Sequence, residues 1–236
     1  MANFIPTFLL ALLATTSIII HGTDATEFVV INAAGRSKGG TLFSSQIGES
    51  YTKMKMATAS NFIFKMFNQG NVTDRKNVHN ITLVVDGGNT VGAGFYRTDY
   101  EFHIGAKYLA NLTSRDVKVE FTGLVYRYMT YVWGWDGSGK APAGLRSGLG
   151  DYVRAKAHYG PRKYWAGKRD LGARWDQGYD VTARFLNYCV GLRKGFVWEL
   201  NKMMKDGYSD GFFKSLTGKD VDQLWREYKA KYGRIN

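Results

Sequence analysis

Cys189 is the single cysteine among 236 residues, so no internal disulfide can staple this chain. The fold must be held by its core. An apolar content of 44% over this length is enough for one sizeable core, and one domain is the simplest organisation. Cys189 itself falls in an apolar helical pattern, which predicts a buried thiol.

Phe8 to Ile20 form an almost unbroken apolar run, followed by the polar stretch His21, Gly22, Thr23, Asp24 and Ala25. This is a signal-peptide pattern, with cleavage expected after Ala25, although no Lys or Arg precedes the apolar run. The run is too short for a membrane span, which needs about 20 apolar residues. No second candidate follows, so the chain is read as secreted and not membrane-spanning, with a signal peptide over 1–25 and a domain over 26–236. Loss of residues 1–25 removes only Asp24 among the charged residues and leaves 32 basic residues against 19 acidic ones, a net charge of +13. That balance favours anionic partners such as acidic polysaccharide, a membrane surface or nucleic acid, and says nothing about fold. Three glycosylation sequons begin at Asn71, Asn80 and Asn111, and Asn71 reads as the best surface-loop candidate.

Along the domain, Glu27 to Asn32 reads as a strand running into Ala33-Ala34-Gly35, and Gly39-Gly40 as a second turn. Apolar residues recur at helical spacing from Gln46 to Phe67, predicting one long helix or two short ones. Ile81 to Asp86 and Tyr100 to Ile104 are predicted strands. Asp116 to Trp135 is a predicted helix with Phe121, Val125, Met129 and Val132 on one stripe and Leu124, Arg127, Tyr128 and Tyr131 on its neighbour. A helix is expected to start near Ala143 and carry Asp151, and further helices occupy the C-terminal third. Strands early and helices late predict an α+β fold, with a small mixed sheet followed by a predominantly helical C-terminal half.

Several long segments carry a resemblance. They are Glu27 to Asn32, Asp86-Gly87-Gly88, Gly123-Leu124-Val125-Tyr126, Trp135 to Gly144, Arg174 to Leu186 (RWDQGYDVTARFL) and Asp206-Gly207-Tyr208-Ser209. Through these the chain resembles the plant basic secretory protein family, whose members look like zinc metallopeptidases of the zincin type. The resemblance implies a zincin-like fold and an H-E-x-x-H motif on the central helix, where two histidines one turn apart bind zinc and the glutamate acts as base on metal-bound water. It also implies a third ligand, a glutamate on the next helix. In this chain Arg127 and Tyr131 stand at the two histidine positions, Tyr128 at the glutamate and Ser147 at the downstream glutamate, while Met129, Thr130 and Asp151 match the family.

These replacements are incompatible with the implied chemistry. A guanidinium is a permanent cation with no lone pair for a metal, and a phenol, with a pKa of about 10, is neither a ready ligand nor a base at neutral pH. No cofactor is expected. His79, His103 and His158 show no metal-ligand spacing. The bland readings are an internal Arg127–Asp151 ion pair, tyrosines that fill volume left by the metal site, and Asp151 as a structural acceptor. The functional reading makes Arg127, Tyr128, Tyr131 and Ser147 a pocket for a small anionic or carbonyl-bearing ligand, with Asp151 beside Arg127. The interleaved cations and aromatics from Arg162 to Trp175 are read as solvated charge around a structural tryptophan, and Gly92-Ala93-Gly94 as no phosphate loop. The leading expectation is a catalytically inactive, extracellular metallopeptidase homologue of the apoplast or cell wall, with a defence or ligand-binding role. An anionic wall or microbial surface is its expected partner, with no specific nucleic acid. Metal-independent catalysis on a small plant metabolite is the alternative, and residual peptidase activity ranks last.

Overall fold

The computed structural model describes residues 26–88, 93–96, 100–112, 117–160 and 171–233, so the expected signal peptide lies outside the described residues. Four strands form one sheet in the order β1 (Glu27–Asn32), β2 (Asn80–Asp86), β4 (Glu101–Gly105) and β3 (Ala93–Tyr96). β1, β2 and β4 are parallel, and β3 runs antiparallel along the edge of β4. Alternation along the central strands selects the core face, since Ile81, Leu83 and Val85 of β2 and Phe102 and Ile104 of β4 are all fully buried. The opposite face carries Ile31, Asp86 and His103. Its outer edge is open, with Ile31 46% exposed.

β1 leads through α1 (Lys38–Leu42) and a π-helical turn, Phe43–Ile47, into α2 (Glu49–Met66). The predicted helix from Gln46 thus begins at Glu49, because Gly48 at φ +78° interrupts the path. Gly39 and Gly40, predicted as a turn, lie inside α1. The reason is tertiary: a Cβ on Gly39 would stand 2.0 Å from the carbonyl oxygen of Ala106, at the start of α3 (Ala106–Ala110), so glycine permits the contact between these helices and does not mark a bend. Strand β3 was not predicted, and the Ala93-Gly94 pair lies in it.

The helical half follows with α4 (Val117–Trp133), α5 (Ala143–Lys156), α6 (Tyr179–Leu192), α7 (Phe196–Met203), α8 (Gly211–Thr217) and α9 (Val221–Tyr232). α4 is the central helix. α2 packs on one side of it and α5 on another, and α6 packs on the far side of α5. Twelve of the seventeen residues of α4 are therefore buried, including the polar Thr122 and Thr130, and the two stripes predicted from spacing both face packed neighbours, with Arg127 and Tyr131 only half-buried. α5 fits between α4 and α6 because its glycines face both neighbours. A Cβ on Gly150 would meet Tyr131 at 2.8 Å and Arg127 at 2.9 Å, and one on Gly148 would meet Thr182 at 2.4 Å. Beyond α6, Phe185 gathers Trp175, Phe213, Trp225 and Tyr228 around it, which fixes the C-terminal helices. Trp175 is buried in this cluster while Arg174 is 74% exposed and paired with Asp176, as predicted for a structural tryptophan amid solvated charge. The residues from 161 to 170 in the same stretch lie outside the described residues. Cys189 is fully buried in α6.

Among the described residues no helix is long and apolar enough to cross a membrane. Asn71, Asn80 and Asn111 are all exposed; Asn71 precedes a 3-10 turn (Val72–Asp74), Asn80 opens β2 and Asn111 caps α3.

Candidate functional site

The middle of α4 carries Arg127, Tyr128 and Tyr131, and helical spacing sets Arg127 and Tyr131 one turn apart. The Arg127 Nε donates to the Tyr131 hydroxyl at 3.0 Å. Its Nη1 donates to Asp151 Oδ1 at 3.1 Å, reaching α5 where Gly150 lets the two helices approach. The guanidinium carbon also lies 4.6 Å from the ring centroid of Tyr179, the first residue of α6. Three elements thus hold one cation.

Burial makes the arrangement tight. The Arg127 side chain is 11% exposed and Asp151 is fully enclosed. Burial disfavours the Arg127 charge, but the Tyr131 dipole and the Asp151 carboxylate outweigh it and keep the guanidinium more firmly protonated than in water. Asp151 behaves differently. Burial raises its carboxyl above the ordinary carboxylate range despite the opposing pull of Arg127 and Arg154. Its Oδ2 is buried and has no hydrogen-bond partner among the described residues, in keeping with that burial.

Tyr128 points toward the sheet, stacked on Phe102 with ring centroids 5.4 Å apart, and meets the Tyr131 ring edge-on at 5.5 Å. Burial pushes its phenol up to about 12, with Arg127 opposing. Tyr131 is likewise raised, chiefly by burial. Both phenols therefore serve as neutral hydrogen-bonding groups at neutral pH and not as bases. Ser147 lies one turn before Asp151, but its hydroxyl is engaged elsewhere: it donates to the Gly144 carbonyl at 3.1 Å and accepts from the Tyr179 amide at 3.2 Å. The structure therefore joins Arg127, Tyr131 and Asp151 directly, sets Tyr128 behind them against the sheet, and ties Ser147 to the start of α6.

Tyr179 was not singled out from sequence, although it lies within the quoted RWDQGYDVTARFL block. It is held at φ +50°, an uncommon left-handed conformation for a tyrosine, and follows Gly178 at φ +98°. The Gly-Tyr pair opening a helix was the available signal. Tyr179 is 57% exposed and covers the guanidinium from the solvent side.

These residues do not fit a zinc ion. Arg127 would repel it, the Ser147 and Tyr131 hydroxyls are already engaged, and Asp151 is the one carboxylate in the cluster. Among the described residues no group of three His, Cys, Asp or Glu side chains could hold a metal ion. His103 instead pairs with Glu101 of its own strand and stands 3.8 Å from Asp86.

Beside Tyr131 opens a cleft of about 360 Å³ between the C-terminal end of α4, the start of α5 and the segment around Lys76. Tyr131 is the member of the Arg127 cluster that lines it, together with Trp135 and the cationic Lys76, Arg146 and Lys205.

A family model described as a peptidase of plants and bacteria matches residues 23–228. A basic secretory protease from Boswellia serrata is 47% identical over 64 residues, which are 27% of this chain and 75% of the relative. No solved structure matches the chain. The family match runs from ahead of β1 into α9, through the sheet, the central helix and the Arg127 cluster, and the chain accordingly belongs to the basic secretory protease family of plant and bacterial peptidases.

Proposed function

We propose that this family member is exported by its N-terminal signal peptide to the extracellular space and acts there as a binding protein with a defence role, on a zincin-like scaffold that no longer hydrolyses peptides. The observation that carries this reading is the Arg127 guanidinium, bonded to Asp151 and Tyr131 at the centre of the helix where the family resemblance locates its metal ligands. A fixed cation there leaves no base and no metal to activate water for attack on an amide. The charge of +12 on the whole chain supports an anionic wall or microbial surface as its destination. Exposed Asn71 supports glycosylation in the secretory pathway.

The alternative, metal-independent proton transfer to or from a small metabolite, draws support from the raised Asp151 carboxyl. Asp151 is fully enclosed, so a substrate could reach it only after the surrounding side chains moved.

Elemental analysis and peptide hydrolysis with and without chelator test the proposal on one preparation. The expected result is no stoichiometric zinc and no chelator-sensitive cleavage; one tightly held zinc per chain with such cleavage refutes it. The combined variant Arg127→His, Tyr128→Glu, Tyr131→His, Ser147→Glu serves as the positive control for zinc uptake.

A further inference from the structure

A second cleft, of about 510 Å³, opens where the C-terminal half of α2 meets the start of β1 and the segment from Val72 to Val78 that leads into β2. It shares no lining residue with the Arg127 cluster, and its volume is that of a small-molecule site. The polar groups of its inner wall are used within the protein. The Trp133 Nε1 donates to the Ser60 hydroxyl at 3.0 Å, Ser60 donates to the Met56 carbonyl at 2.9 Å, and the Thr26 hydroxyl donates to the Val78 carbonyl at 2.8 Å. What remains toward the cleft is chiefly apolar. Phe28 and Ala57 are half-buried there, and Val72 at the mouth is 58% exposed, an apolar side chain that a bound apolar body would cover.

One fixed cation stands against this wall. The Arg75 guanidinium lies 3.9 Å from the Phe64 ring centroid, while its Nε and Nη2 donate to the carbonyls of Gln69 and Gly70, each at 2.9 Å. Phe64 meets Trp133 edge-on at 4.8 Å, so that ring is committed to holding Arg75 in place and is not itself offered to a ligand. Carbonyl oxygens orient the guanidinium without neutralising it. Arg75 makes no ion pair among the described residues, and its Nη1 has no hydrogen-bond partner among them. Asp74, its neighbour in sequence, does not line the cleft, and neither does any other carboxylate among the described residues. Lys76 adds positive charge nearby, but its ammonium is already engaged, donating to the Gly134 carbonyl at 2.6 Å. Asn61 of α2 and Asn77 of the facing segment also line the cleft, and neither side-chain amide makes a hydrogen bond among the described residues.

An apolar recess, a preset guanidinium with an unused donor and two uncommitted amides specify a ligand chemistry. We propose that this cleft binds a small monocarboxylic acid with an apolar body, the body lying against Phe28, Ala57 and Val72 and the carboxylate accepting from Arg75 Nη1. A charge-assisted hydrogen bond to a guanidinium already held by the protein loses little side-chain freedom on binding, and the amides of Asn61 and Asn77 supply further hydrogen bonds to the polar end of the ligand. The apolar wall selects such an acid over a bare anion, and Arg75 selects it over a neutral molecule of the same shape.

The test titrates the purified chain by calorimetry, at near-physiological salt, with 2-naphthoate, its neutral analogue 2-naphthamide, and acetate. Saturable one-to-one binding of 2-naphthoate is expected, with 2-naphthamide about tenfold weaker or more and no measurable binding of acetate. Arg75→Gln should weaken 2-naphthoate about tenfold and leave 2-naphthamide within about threefold. Because Arg75 also ties down two carbonyls, Ala57→Phe serves as the independent variant; it keeps every charge, places a ring in the cleft and should weaken both naphthyl probes about tenfold, with the far-ultraviolet circular dichroism of the parent. Lys214→Gln, on exposed α8, removes one positive charge elsewhere and should change 2-naphthoate binding less than about threefold. Equal binding of acid and amide, acetate as tight as 2-naphthoate, unchanged binding in Arg75→Gln or Ala57→Phe, an equal loss in Lys214→Gln, or no binding at all would each overturn the proposal. Zinc content and peptide hydrolysis report separately on the non-peptidase reading, so the two can fail independently.

Discussion

Arg127→Met isolates the physics at the centre of the molecule. The substitution keeps an unbranched side chain of similar reach and deletes the charge. Asp151, fully enclosed, then loses its bond from Nη1 on one oxygen while Oδ2 already has none among the described residues. Removing one partner of a buried ion pair costs about 3–5 kcal/mol. The lower end, about 3 kcal/mol, is expected here, because Arg154 still favours the carboxylate and Asp151 can escape part of the penalty by taking a proton. The escape route gives the prediction its pH signature. Asp151 already titrates above its ordinary value of 3.8, and loss of Arg127 raises it further. Between the unfolded and the higher folded value the folded state binds more protons than the unfolded one, so this group's contribution to stability falls as pH rises through that window. Urea unfolding should therefore show a larger loss for Arg127→Met at pH 8 than at pH 5, with an unchanged slope in denaturant. Adding Asp151→Asn to the variant should recover about 2 kcal/mol at pH 8, measured as the coupling in a double-mutant cycle. A loss below about 1 kcal/mol at pH 8, or the same loss at both pH values, would refute the enclosed ion pair.

Gly144→Ala would drive its Cβ to 1.6 Å from the Asp176 carbonyl oxygen, so a loss of about 3 kcal/mol or more is expected in the same urea assay. Gly191→Ala, in α6 with open space around it, is instead expected to raise the unfolding free energy by up to about 1 kcal/mol, and a loss there would show that the helix does not pass through that position as described. Burial pushes the Cys189 thiol well above its ordinary value, so a thiol reagent at pH 8 should find no reactive group in the native protein and one per chain in urea. Rapid native labelling would contradict the placement of α6.

Strand and helix type along most of the domain were legible because they depend on local periodicity. Glu27–Asn32 and Asn80–Asp86 alternate or run apolar between turn residues, and the α4 and α6 patterns repeat at helical spacing. Local pattern failed where a neighbour distant in sequence set the conformation. Gly39 and Gly40 read as a turn because the contact with Ala106, 67 positions from Gly39, is invisible to a window of local residues. Strand β3 was missed because Ala93–Tyr96 is only four residues long and gains its strand character from pairing along β4.

The sequence by itself determined which chemistry these positions can carry, since Arg127, Tyr128 and Tyr131 on the central helix and Ser147 on the next bring a permanent cation and neutral hydroxyls whatever fold surrounds them. It also determined that Arg127 and Tyr131 share a helix face, because their separation is one turn. Only the tertiary structure decided how these groups are used. Side-chain direction and inter-helix distance sent the guanidinium to Asp151, turned the Ser147 hydroxyl to the start of α6 and laid Tyr179 over the charge. The same packing gathered Lys76, Arg146 and Lys205 from separate segments around one cleft, and no sequence spacing records that convergence because it arises from the way the helices and their connections stack on the sheet.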